Sequence, residues 1–103
     1  MKIYEVVIDD PAEDDLRNIS NYIAQTLNQP IYAKRIYKSI RTQISTLKKC
    51  PERCQIIDIE PYRSRKVRLM TVENYNIFYL LHTDKKVHVT RIMHGKRDWM
   101  KLL

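Results

Sequence analysis

A single glycine, Gly95, serves all 103 residues, and phenylalanine and tryptophan also occur only once each. A phosphate-cradling loop needs several glycines, so that successive backbone N–H groups can turn toward an anion, and P-loop nucleotide chemistry is thereby excluded. The chain also lacks a G-x-S-x-G elbow for a nucleophilic serine and a pair of carboxylates set apart as acid and base, which removes esterase and glycosidase readings. Only two cysteines occur, Cys50 and Cys54 in the segment CPERC. A tetrahedral zinc site would need two further ligands, and His82, His88 and His94 are spaced for a strand rather than for a ligand knuckle. No metal and no cofactor is expected, and the thiols should be free. Long hydrophobic runs are absent as well: nothing approaches the roughly eighteen apolar residues of a membrane span. The start MKIYEVVIDDP meets acidic residues before a signal core could form. A cytoplasmic protein with no membrane association is the expectation.

What the chain does have is charge, unevenly placed. Nineteen basic residues against twelve acidic ones give a formal net charge of +7. Six of the acidic residues, Glu5, Asp9, Asp10, Glu13, Asp14 and Asp15, stand in the first fifteen positions, which leaves residues 16–103 at +12. A surface of that sign attracts polyanions, whether nucleic acid, ribosome or an acidic protein. The length suits one domain, residues 1–103, with one modest core.

Residues 2–8, KIYEVVI, read as a short strand. Asp10 as a cap, Pro11 at the first helical position and Glu13 three residues after Asp10 predict a helix start. The apolar stripe of that helix is Ala12, Leu16, Ile19, Ile23 and Leu27, with Asp14, Asp15, Arg17 and Asn18 pointing outward. Asn28-Gln29-Pro30 breaks it and opens a second helix from about Ile31 to Lys49. That helix has Ala33, Ile36, Tyr37, Ile40, Ile44 and Leu47 inward and a basic outer face of Lys34, Arg35, Lys38 and Arg41. The short connection makes the two an antiparallel hairpin. Pro51 ends the second helix, and the stretch from Glu52 to Ser64 reads as a connecting arm.

Three strand-like runs follow between Arg65 and Trp99. In the first, Val67 and Leu69 alternate with Lys66 and Arg68, which sets two cations on one face. The second, Tyr75 to Leu81, is apolar on both faces and should be the central strand, covered on both sides. In the third, Val87 and Val89 share a face but Ile92 has the other parity, as a bulge would produce. Glu73-Asn74 and Thr83-Asp84-Lys85 are turn residues, so the three runs form an antiparallel meander. The fold class is α+β: an N-terminal strand and an antiparallel helical hairpin packed on a small twisted antiparallel sheet.

The basic residues Arg65, Lys66, Arg68, Arg91, Lys96 and Arg97 all lie on or beside these neighbouring runs and are the candidate binding residues. Gly95, in HGKRD, marks either a positive φ or a close backbone approach at the end of the third strand. If the cluster is catalytic, the chemistry it suits is cleavage of RNA by its own 2′-hydroxyl, which needs a base, an acid and cations for the phosphorane charge. His94 is the group that titrates near neutrality, and Arg68 and Arg97 would stabilise charge. His82 and His88 read as turn and sheet residues.

Taken together, PAEDDLRNISNYI, PIYAKRIYKSI, LKKCP, RKVRLMTVENYNIFYLL and VHVTRIMHGKRDW make the chain resemble the RelE/ParE superfamily of bacterial type II toxins over nearly its whole length. The resemblance implies a toxin that arrests growth and a cognate antitoxin, acidic or flexible, that neutralises it. It also implies one of two targets. RelE-type members cut mRNA on the ribosome without a metal, whereas ParE-type members inhibit DNA gyrase. RelE-type cations would correspond to Lys66, Arg68 and Arg97. An arginine expected early in the central strand is Asn76 here, and a C-terminal tyrosine is missing from RDWMKLL. The long hairpin and the HGKRD ending look more like ParE. A gyrase inhibitor is the favoured reading, beside a ribosome-dependent mRNA endoribonuclease and a non-toxic basic nucleic-acid-binding module.

Overall fold

The structure, a computed structural model, describes residues 3–95. Strand β1 (Glu5–Ile8) leads into helix α1 (Asp10–Asn21), which continues as one wide π-helical turn, Tyr22–Thr26. Helix α2 (Pro30–Ser45) returns antiparallel and closes in a 3₁₀ turn, Thr46–Lys48; a second 3₁₀ turn covers Pro51–Arg53. Strands β2 (Arg68–Val72), β3 (Tyr75–Leu81) and β4 (Lys86–His94) then complete a sheet of order β1-β4-β3-β2. The meander is present as the turn residues predict. The sheet as a whole is mixed, because β1 joins it parallel to β4, with Glu5 beside Lys86 and Ile8 beside Val89.

Helix α1 starts one residue earlier than the capping pattern implies. Asp9 occupies the cap position but its side chain does not bond a backbone N–H of the first turn. Its carboxylate faces the His88 Nδ1 at 3.0 Å instead, and the Glu13 carboxylate accepts from Arg41 at 2.7 and 3.0 Å. Cross-element partners have thus taken the groups that a local capping box would use. The stripe of α1 is buried at Ala12, Leu16 and Ile23. Leu27 is 49% exposed, contrary to the helical spacing. The π turn is the reason: with Leu27 N–H bonding back to Tyr22 O and Gln29 N–H to Ile23 O, the turn holds extra residues and rotates Leu27 off the stripe. Asn28, at φ 54°, reverses the chain, and Pro30 begins α2.

The sheet buries both faces of β3. On the helix side Ile77 and Tyr79 meet Leu16, Ile36, Ile40, Ile44, Val87, Val89 and Ile92. On the other side Phe78, Met93 and Val67 meet Ile57 and Tyr62 from the arm. The arm also begins a ladder on β2, with Ile56 opposite Arg68. The bulge anticipated from the parity of Ile92 is present: Phe78 faces Arg91 and Tyr79 faces Val89, so Thr90 is the extra residue. Its hydroxyl donates to Phe78 O at 3.2 Å. Val87, Val89 and Ile92 can therefore all point to one core. Among the described residues no helix is long and apolar enough to cross a membrane.

Candidate functional site

The residues singled out in the sequence fall into three places. Arg65 and Lys66 are exposed in the loop before β2, and Lys66 lies outside the strand at φ 58°. The expected side-by-side pairing of Lys66 with Arg68 on one strand face is thus not formed. Arg68 opens β2 and its guanidinium donates to Cys54 O at 2.7 Å and Glu52 O at 3.3 Å, fastening the 3₁₀ turn to the strand. Arg91 sits at the bulge and donates to both oxygens of Asp15, at 2.7 and 3.1 Å. Asp15 is not an outward-facing residue: its carboxylate also accepts from the Ile92 N–H at 3.0 Å, on the edge of β4 beyond the end of β1. The hydrogen bond to Asp15 is the main reason why the Arg91 guanidinium is held above its usual pKa. Lys96 and Arg97 lie outside the described residues.

His94 ends β4 between two recesses. On the helix side lies a groove of about 460 Å³ whose walls include Asn18, Ile19, Tyr22, Ile23, Tyr75 and His94. The Tyr75 ring meets the His94 ring edge-on, with centroids 5.3 Å apart. Burial raises the Tyr75 phenol pKa, and the neighbouring Tyr32 and Tyr22 hydroxyls add to the effect. Around the hairpin tip the surface is apolar and exposed: Ile31 is 85% exposed and Tyr22 56%. Sequence periodicity missed this patch in part because Leu27 is turned off the apolar stripe by the π turn.

On the other side is a polar recess of about 510 Å³ lined by Thr71, Glu73, Asn74, Asn76, His94 and Gly95. The Thr71 hydroxyl donates to Asn76 Oδ1 at 3.4 Å. Gly95 is needed for close approach rather than for a positive φ. Its N–H bonds Asn74 O at 2.7 Å, and a Cβ there would meet the same oxygen at 3.2 Å. None of the described residues lining this recess is a cation. Arg68 and Arg91, two of the cations the sequence offers for phosphorane charge, are fastened away from this recess.

Neither cysteine forms a disulfide, and among the described residues no three His, Cys, Asp or Glu side chains converge as a metal site. His88 is the sheet residue bonded to Asp9, and the His82 ring lies 4.5 Å from it, centroid to centroid, at the end of β3.

A family model described as the ParE toxin of the type II toxin-antitoxin system parDE matches residues 6–99. The chain belongs to the ParE toxin family. Among solved structures, the chromosomal ParDE system of P. aeruginosa is similar with a TM-score of 0.76 at 17% identity, over 91% of this chain and 98% of that one. The RelBE2 toxin-antitoxin complex of Mycobacterium tuberculosis gives 0.62 at 16% identity, over 89% and 98%. A mutant of the E. coli toxin RelE in the free state gives 0.62 at 11% identity, over 97% and 92%. These structures share the fold: a helical hairpin on a four-stranded sheet. A search of curated protein sequences finds no match. As a ParE-family chain, this protein is the toxin of a type II toxin-antitoxin system, and the recess at His94 and the groove at the hairpin tip are features of that toxin's surface.

Proposed function

We propose that this toxin arrests growth by inhibiting DNA gyrase and is neutralised by a cognate antitoxin. The observation that carries the reading is the disposition of the cations. Arg91 is spent on Asp15, Arg68 on two carbonyls, and the central strand offers Asn76 to a recess whose described lining holds no positive charge. A ribonuclease transition state needs such charge within reach of the phosphate. Family membership supports the same side. The antitoxin, acidic or flexible, suits a chain at +12 over residues 16–103, since opposite charge speeds encounter. Its apolar residues would cover the groove and the exposed hairpin tip, a surface that a free protein leaves uncovered at some cost in solubility.

The test pairs two assays on the purified toxin. Gyrase supercoiling should fall and cleavage complexes should accumulate, while primer extension on ribosome-bound mRNA shows no new ends. Cutting of mRNA with unimpaired supercoiling would overturn the proposal in favour of the endoribonuclease. The position of His94 in the polar recess is the one observation that favours that second reading, and Arg68 and Arg97 would then carry phosphate charge. In that case His94→Ala should abolish cutting. Growth arrest on expression, relieved by the neighbouring gene product, separates both readings from a non-toxic nucleic-acid-binding module.

A further inference from the structure

Asn76 is the one polar residue buried among the described residues, 9% exposed, and it stands in the otherwise apolar run of the central strand. Its cross-strand neighbours are Thr71 on β2 and Met93 on β4. Met93 and Phe78, on the same face of the sheet, belong to a buried apolar cluster. A carboxamide in that position gives up water, a cost that stands unless hydrogen bonds replace what is lost. Within the chain only Thr71 does so: its hydroxyl donates to Asn76 Oδ1 at 3.4 Å, and Asn76 Nδ2 donates to no group among the described residues. Every fully enclosed side-chain nitrogen or oxygen of those residues has a partner, so Nδ2 opens on the polar recess that Asn76 lines.

The recess has a definite hydrogen-bonding character. Asn76 Oδ1 keeps a second lone pair beside the one that Thr71 uses, next to the Nδ2 donor. Glu73 supplies a further acceptor: Arg35 and Ser39 both reach its Oε1, at 3.1 and 3.5 Å, and its Oε2 takes no hydrogen bond among the described residues. With a carboxylate and no cation in its described lining, the recess repels a phosphate and suits a neutral group. That group has to bring two N–H donors beside one acceptor.

A peptide unit has one N–H and leaves an acceptor unanswered, and thymine or uracil likewise has a single ring N–H between carbonyls. Adenine, cytosine and guanine each carry an exocyclic amino group near a ring nitrogen or carbonyl that accepts from Nδ2. His94 adds an aromatic wall, of the kind on which unpaired bases lie, and about 510 Å³ is room for a ring rather than for a lone carboxamide. A base has to leave its stack to enter such a recess, which favours a single strand. Its phosphates stay outside, where the +12 of residues 16–103 attracts them. We infer that the recess at Asn76 takes an unpaired nucleobase bearing an exocyclic amino group from a single strand, with Asn76 and Glu73 reading its edge. This binding involves no cleavage and does not rest on the gyrase reading.

The experiment measures anisotropy of a labelled thymidine trinucleotide, and of the same trinucleotide with adenine or cytosine in the middle, with the purified natural toxin over a series of salt concentrations. Deoxyribose has no 2′-hydroxyl, so binding is scored apart from any cutting, and gyrase inhibition is scored separately. The strands with adenine or cytosine should bind about tenfold more tightly than the all-thymine strand, the effect of one good base contact. That ratio should hold as salt weakens all three, because phosphates carry the salt dependence and base edges the preference. Asn76→Asp, which exchanges the amide donor for an acceptor, should bring the adenine-to-thymine ratio close to one. In nitrogen-15 spectra of the natural toxin the Asn76 side-chain amide signals should shift with adenosine and stay in place with uridine or acetamide, a readout that needs no variant to fold. Equal affinity for the three strands, a preference that persists in folded Asn76→Asp, or the same shift with acetamide would each overturn the inference.

Discussion

The Asp15 carboxylate serves three donors: the two guanidinium nitrogens of Arg91 and the backbone N–H of Ile92. Asp15 is 14% and Arg91 32% exposed at the side chain, so screening by water is incomplete. Asp15→Ala should lower the unfolding free energy in urea by about 2–3 kcal/mol, because a half-buried cation and a strand-edge N–H lose their acceptor together. Asp15→Asn, which keeps one acceptor oxygen, should lose less. A loss below that of an exposed pair such as Arg17–Asp14 would contradict this account. None of it is legible in the sequence: helical spacing sets Asp15 on the outer side of α1, and a partner 76 positions away leaves no local trace.

Tyr79 is fully buried and its hydroxyl donates to Pro51 O at 2.7 Å. Burial first, and the neighbouring Cys54 second, push the phenol pKa well above the 10.0 of an exposed tyrosine. The fold then keeps a proton that the unfolded chain gives up. Its contribution to stability is complete below pH 10.0 and is lost as pH rises from there through the folded pKa. Stability measured between about pH 9 and 11 should fall more steeply for the natural toxin than for Tyr79→Phe. At neutral pH the same variant should cost about 1 kcal/mol for the missing hydrogen bond.

At the level of elements, the helical hairpin was readable because its signals are local. Ala33, Ile36, Ile40, Ile44 and Leu47 keep one period and are all buried, and Pro30 marks the start, whereas the α-helix ends at Ser45, short of the expected Lys49, and Pro51 opens a separate 3₁₀ turn. The bulge in β4 was readable for the same reason, through the parity of Ile92. The π turn was not, since Leu27 continues the stripe on paper and only the wide Tyr22–Thr26 turn displaces it. Asn28 is the residue that lets α1 turn back toward α2. Asn28→Gly should leave the melting temperature nearly unchanged, whereas Asn28→Val at φ 54° should cost about 1–2 kcal/mol by denaturant titration. Equal stability of the two variants would mean that the hairpin can reverse by another route. The ion pair across the hairpin, Glu13 with Arg41, is more than a third exposed on both sides and is expected to contribute under about 1 kcal/mol.

At the level of the whole molecule, individual cations were legible and their employment was not. Arg65 and Lys66 remain available, while Arg68 and Arg91 are structural fasteners. Charge in a sequence shows how much potential a surface can carry, whereas the partners that cancel it come from distant positions. Sheet order was hidden for a similar reason, because the parallel pairing of β1 with β4 joins residues 5–8 to residues 86–89.

That pairing has a genetic consequence. β4 is hydrogen-bonded to β1 on one side and β3 on the other, so a chain interrupted before it lacks the strand that unites both ends of the sheet. Spontaneous survivors of forced expression should therefore carry stop codons and frameshifts distributed evenly along the gene as far as β4, with no tolerated interval after β3. A stop codon at Asp84 that left the product lethal would show that the first three strands and the hairpin suffice.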